Sequence, residues 1–110
     1  MTWKNWAGNQ VCSPDEVAHP STDGELAAVV KGAAARGHNV KVVGSGHSFT
    51  ACALTDGVQI VLERYNKFIA IDRRANTVTV RAGATIAEMN KHLFTDGMAM
   101  PSLGDIAYQT

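Results

Sequence analysis

A helix with a start signal, a β-branched strand and a pair of glycines follow one another between residues 22 and 46, and no other run constrains the fold as tightly. Thr22 and Glu25 stand at capping-box spacing. Behind them Leu26, Val29, Val30, Ala33 and Ala34 recur in steps of three and four, which defines one helical face. Arg36 closes the last turn and Gly37 supplies the residue after it. The spacing predicts a helix over residues 23–36. Val40-Lys41-Val42-Val43 then reads as a short buried strand, stopped by Gly44. A helix running into a buried strand at this distance resembles half of a βαβ unit.

The chain on either side alternates in the same way. Val17 to Pro20 reads as a short extended piece, and Val58-Gln59-Ile60-Val61-Leu62 as a second buried strand. Residues 68–72 and 77–82 read as a hairpin turning on Arg73-Arg74-Ala75-Asn76, with the arginine pair in solvent. Its second arm alternates Val78, Val80 and Ala82 against Thr77, Thr79 and Arg81. Thr85 and Glu88 form another capping-box pair, ahead of a helical face of Ile86, Met89 and Leu93 that Gly97 ends. Residues 98–105 are irregular and marked by Gly and Pro. The last five residues carry no stop signal, so the expectation is a domain cut in mid-structure.

Gly44-Ser45-Gly46 directly after a strand lets the backbone turn sharply, with no Cβ at two of its three positions. Successive N–H groups in such a turn can form one concavity, a nest for an anion and for phosphate above all. A tight turn without a ligand is the plain alternative. A P-loop needs Lys then Ser or Thr after the second glycine, and none follows. A dinucleotide fingerprint of the Rossmann kind needs Gly where Phe49 stands, and residues 48–57 lack helical periodicity. A nucleophile elbow needs Gly where Thr50 stands. What sets the loop apart is His47, an imidazole beside the two glycines.

Composition narrows the function classes. Lys and Arg number 10 and Asp and Glu number 10, giving zero formal charge. That balance argues against nucleic acid as a partner, because counterion release needs a surplus of cations on one face. No apolar run approaches the roughly 20 residues of a bilayer span, and the first residues hold no apolar core of a secretory signal. The expected location is cytoplasmic, and membrane association is not indicated. Cys12 and Cys52 match no metal spacing and read as two free thiols. His19, His38 and His92 have no carboxylate or Cys at ligand spacing, so no metal site is expected. Met89, Met98 and Met100 read as core fillers. Trp3 and Trp6 are expected to form an apolar patch favouring self-association.

Val42-Val43-Gly44-Ser45-Gly46-His47-Ser48-Phe49-Thr50 resembles the flavin loop of the FAD-linked oxidases of the vanillyl-alcohol oxidase type. Within that group it is most similar to the aldonolactone oxidases and dehydrogenases (gulonolactone, arabinonolactone) and the alditol oxidases. Further pieces fall in the family's order: Asn5-Trp6-Ala7-Gly8, Pro20 with Glu25-Leu26, Thr55-Asp56-Gly57, Ala82-Gly83, and Ser102-Leu103-Gly104-Asp105 followed by Thr110. The resemblance spans residues 5–110. Any single piece is weak; the ordered set is specific.

The resemblance implies an α+β fold, the N-terminal part of a PCMH-type FAD-binding domain: a βαβ-like unit, further strands and a second helix. It implies FAD as the cofactor. Gly44, Ser45, Gly46 and Ser48 would supply backbone or hydroxyl donors to the pyrophosphate. His47 is the candidate for a covalent 8α-histidyl bond, which needs a neutral imidazole nitrogen as nucleophile; some of the family hold FAD without the bond, and both forms stay open. Ser102, Gly104, Asp105 and Thr110 would line the other side of the cofactor. Many of the family carry Ser where Asp105 stands, and a carboxylate beside phosphates is repulsive, so Asp105 belongs nearer the ribose or ring. The implied reaction oxidises a sugar lactone or polyol by hydride transfer to the flavin. The groups that bind and deprotonate the sugar belong to a C-terminal cap domain of the family, so no catalytic base is assigned among these 110 residues, which alone are expected to show no turnover. The competing class is a small α/β module that binds a phosphate-containing ligand non-covalently through the same loop, without redox chemistry.

Overall fold

Two-residue strands open the chain: β1 (Trp3–Lys4) pairs antiparallel with β2 (Val11–Cys12). Neither is long enough to show alternation in the sequence. In this computed structural model, which describes residues 1–110, there follow β3 (Glu16–Ala18), α1 (Asp23–Ala35), β4 (Val40–Val43), a turn of 3-10 helix (Ala51–Ala53), β5 (Val58–Val61), the hairpin β6 (Phe68–Asp72) and β7 (Thr77–Val80), and α2 (Ile86–Thr95). The mixture is the expected α+β arrangement. Strands β3, β5 and β4 form a parallel sheet in that order. The last strand in sequence sits in the middle, so α1 carries the chain from one edge to the other.

Helix α1 begins as the sequence predicts, with one difference. The Thr22 hydroxyl accepts from the Glu25 N–H at 3.1 Å. The Glu25 carboxylate reaches past Thr22 to Ser21, accepting from its N–H at 2.7 Å and its hydroxyl at 2.9 Å. Those bonds, the backbone one foremost, hold the Glu25 carboxyl below its usual range. At α2 the capping box is complete: Thr85 accepts from the Glu88 N–H at 3.2 Å, and Glu88 accepts from the Thr85 N–H at 2.9 Å.

The core is small. Ala33 of α1 meets Val58, Ile60 and Leu62, with Leu26 and Val29 packed against them. Burying Val58 and Ile60 contributes roughly 1.5–3 kcal/mol each. The five-residue face predicted for α1 narrows to three residues, because a three-stranded sheet covers only a narrow stripe. Val30 is 45% exposed and Ala34 also faces solvent. The strand predicted as buried over residues 40–43 is instead an edge, so only Val43 is buried and Val42 stays 49% exposed. Met89, Met98 and Met100 are half-buried rather than deep in the core.

The second half docks through Gly83, whose N–H donates to the Tyr65 carbonyl at 2.8 Å. A Cβ there would collide with the Leu62 carbonyl. The β6–β7 turn is set by Asp72, which accepts from the N–H groups of Arg74 (2.9 Å) and Ala75 (3.1 Å). Arg73 leaves solvent in part to pair with Asp96 at 3.0 Å.

A backbone cradle beside His47

β4 and β5 are parallel neighbours, so the chain must return along the sheet between them, and such a crossover needs a dozen or more residues. Here a helix is replaced by the loop of residues 44–57. It is held down near its middle, where the buried Gln59 donates through Nε2 to the Ala53 carbonyl at 3.1 Å. Gly46 has φ +72°, a left-handed conformation that other residues adopt at a cost.

The first hairpin takes up the carbonyl side of this loop. The Trp6 N–H donates to the Gly46 carbonyl at 2.7 Å. Asn5, only 3% exposed, donates through Nδ2 to the Ser48 carbonyl at 2.9 Å. Asn9 and Gln10 donate to the Phe49 carbonyl at 3.2 and 3.3 Å. The N–H side is left over: no backbone N–H group from Gly44 to Thr50 donates to another group of the chain, and those of Ser45, Gly46, His47 and Ser48 belong to the part of the loop beside the glycines. A row of consecutive free donors is costly unless water or a ligand takes them.

From the opposite side the loop meets residues 108–110. The Ser45 hydroxyl donates to the Tyr108 carbonyl at 2.9 Å and accepts from the Thr110 N–H at 3.2 Å. A Cβ on Gly44 would collide with the Thr110 side chain. Gln109 Nε2 lies 2.8 Å from His47 Nδ1. The His47 ring meets the Tyr108 ring edge-on at 5.2 Å between centroids and the Trp6 ring, tilted, at 5.8 Å.

A cleft of about 250 Å³ results. Gly44, Ser45, Gly46, His47, Ser48 and Thr110 line it, so six of the nine residues singled out in the sequence converge there. Ser102, Gly104 and Asp105 do not: they are exposed in the irregular segment outside the lining. The Ser45 hydroxyl is spent on residues 108 and 110, which leaves its N–H as the donor it can offer. Val42 of the quoted loop also lines the cleft, and so do Trp3, Cys52 and Gln109, which were not anticipated there; the fold brings these three in. Cys52 and Cys12 are both free thiols. The hydroxyls of Ser48 and then Thr50 lower the Cys52 thiol from its usual range.

No Lys or Arg lines the cleft, so an anion there would be held by backbone dipoles rather than by an ion pair. The volume is below the roughly 300–1,000 Å³ of a cleft that encloses a drug-sized ligand. It suits a pyrophosphate and its nearest neighbours, with the rest of a dinucleotide extending outside. Elsewhere His19 pairs with Glu63 at 2.8 Å and His38 approaches Asp15 at 3.7 Å. No three His, Cys, Asp or Glu side chains gather as metal ligands. A second hollow of about 210 Å³ lies beside α2, where Phe68 stacks on His92 at 4.2 Å.

Fold and loop together define a flavin-binding class, and comparison with known proteins agrees. The chain belongs to the FAD binding domain family, whose model matches residues 14–110. Among curated proteins it is 39% identical over 108 residues to an L-gulono-1,4-lactone dehydrogenase of Mycobacterium tuberculosis, covering 98% of this chain and 25% of that protein. It is 34% identical to an L-gulonolactone oxidase of Mus musculus (97% and 24%) and 33% identical to a D-arabinono-1,4-lactone oxidase of Eremothecium gossypii (98% and 21%). The chain thus spans about a quarter of the length of these relatives. Among solved structures, a solvent-stable cholesterol oxidase superposes with a TM-score of 0.82 at 22% identity, covering 98% of this chain and 22% of that one. The family expected from the residue pattern is the family found.

Proposed function

We propose that this chain is the pyrophosphate-holding part of an FAD-dependent sugar-lactone oxidoreductase, with His47 covalently joined to the flavin. The observation that carries the proposal is the row of four unengaged N–H groups, Ser45 to Ser48, along a cleft that also contains an imidazole. A phosphate oxygen accepts from such a row, and the left-handed Gly46 turns the backbone within it. The lactone class comes from the relatives named above, each 33–39% identical over nearly the whole chain.

FAD supplies a ring that accepts a hydride from the substrate carbon; the protein supplies binding, orientation and exclusion. In the tether, a His47 nitrogen replaces one hydrogen of the 8α-methyl group. The two hydrogens lost, one from that methyl and one from the imidazole, would leave as a two-electron reducing equivalent that an acceptor such as oxygen must take up. No residue of the chain is placed as the base that deprotonates a sugar, and the 110 residues alone are expected to give no turnover.

Acid precipitation of the purified flavoprotein tests the tether. Yellow flavin should remain in the pellet of the natural protein and pass to the supernatant from His47→Ala. Flavin that stays with His47→Ala through precipitation overturns the tether but leaves FAD binding intact. A protein that takes up no FAD, with no change in flavin fluorescence on titration, overturns the whole proposal.

A further inference from the structure

We infer that Gln109 is the positioning residue of His47, deciding which of its two ring nitrogens carries the proton. The Gln109 Nε2 lies 2.8 Å from His47 Nδ1, and no other hydrogen bond to the ring exists in the chain. Its Oε1 is turned the other way, toward Gly104. An amide N–H aimed at Nδ1 requires a lone pair there, so the neutral ring keeps its proton on Nε2. The edge of Tyr108 at 5.2 Å and the tilted Trp6 ring at 5.8 Å restrict rotation that would exchange the two nitrogens. Residues far apart in sequence thereby fix both the plane and the tautomer of one imidazole, as partners of a functional His commonly do.

The bearing of this on the cofactor rests on the function proposed above; the tautomer itself does not. A bond to carbon forms at a nitrogen with a lone pair. With the proton held on Nε2 that nitrogen is Nδ1, and Gln109 must yield it as the bond forms.

Long-range proton–nitrogen NMR correlation on the 15N-histidine-labelled chain, at a pH where the ring is neutral, reads the tautomer without FAD. The natural chain should show a protonated Nε2 and an unprotonated Nδ1. Gln109→Leu removes the donor and should shift the tautomer ratio by about fivefold toward Nδ1–H. Gln109→Glu offers only an acceptor and should reverse the preference, by about tenfold or more. A natural chain with its proton on Nδ1 overturns the inference without any variant. So does a ratio unchanged across all three chains. Because no flavin enters the measurement, failure here is distinct from failure of the acid-precipitation test.

Discussion

Gly46→Ala is the perturbation that most directly separates a ligand cradle from an ordinary tight turn. Gly46 sits at φ +72° and Gly37, just beyond α1, at φ +69°. Placing a Cβ on such a backbone costs about 1–2 kcal/mol, so both alanine variants should lose that much. At roughly 4–8 °C per kcal/mol for a domain of about this size, each should melt measurably lower. Gly37 has open space around the added methyl, whereas at Gly46 the Trp3 ring lies 3.3 Å away and must give slightly. The variants should diverge in FAD affinity. If relaxation at Gly46 re-aims one N–H away from the phosphate, a charge-assisted bond of about 1.5–3 kcal/mol is lost. That is roughly tenfold to a hundredfold in Kd. Both variants belong in a His47→Ala background, which keeps binding reversible, with flavin fluorescence as the assay and thermal melting alongside. Equal melting losses with unchanged Kd in Gly46→Ala would refute the cradle.

Four further outcomes follow from the geometry. Ile60→Val, in the centre of the core cluster, should cost about 0.5–1.5 kcal/mol in urea unfolding without changing flavin affinity. Thr85→Ala removes the hydroxyl that caps α2 and should cost about 0.5–2 kcal/mol in the same assay. The depressed Glu25 carboxyl contributes stability that is present above its unfolded pKa and lost as pH falls through the lower folded value. An acid titration of the melting temperature should therefore flatten in Glu25→Gln below the ordinary carboxylate range, and an unchanged slope would remove Glu25 from the account. Cys52, on the cleft with a lowered thiol, should react with iodoacetamide faster than Cys12 and be slowed by bound FAD, which peptide mapping reads directly.

Much of this was legible locally, and what escaped was long-range. Both helices were readable because a cap, a period and a C-terminal glycine lie within fifteen residues of one another in the chain. The β6–β7 hairpin was readable because its turn and alternation are adjacent. The glycine loop and His47 were readable because an anion nest is made from consecutive residues. The β1–β2 pairing was not, since two-residue strands carry no alternation. Nor was the exposure of Val30 and Val42, which depends on how wide the sheet is and which strand forms its edge. Gln109 escaped for the same reason: nothing near it in sequence marks a partner 62 residues away. Glu25 shows the limit of a local rule, because the same spacing that predicts a capping box also lets the carboxylate reach Ser21.

The topology points to the same end of the molecule as the glycines, and does so independently of them. In open sheets with parallel strands and helical crossovers, ligands sit beyond the carboxyl ends of the strands, where connections diverge. The chain leaves β3, crosses the full sheet through α1 to β4, then turns back to insert β5 between them. The divergence therefore falls at the carboxyl end of β4, where Gly44 begins the loop. Replacing a second helix by an extended crossover leaves loop N–H groups that a helical connection would have bonded internally, all but those of its first turn. The first hairpin then occupies the loop carbonyls at residues 46, 48 and 49. Three of the loop's carbonyls are thereby engaged, while the N–H groups of residues 45–48 stay open to a guest that accepts hydrogen bonds. No Lys or Arg lines the cleft itself, although Lys4 borders the adjoining hollow, so recognition within the cleft is short-range and directional. FAD affinity should then vary little with ionic strength compared with a site built on Lys or Arg, where screening over roughly 10 Å at 0.1 M salt governs binding.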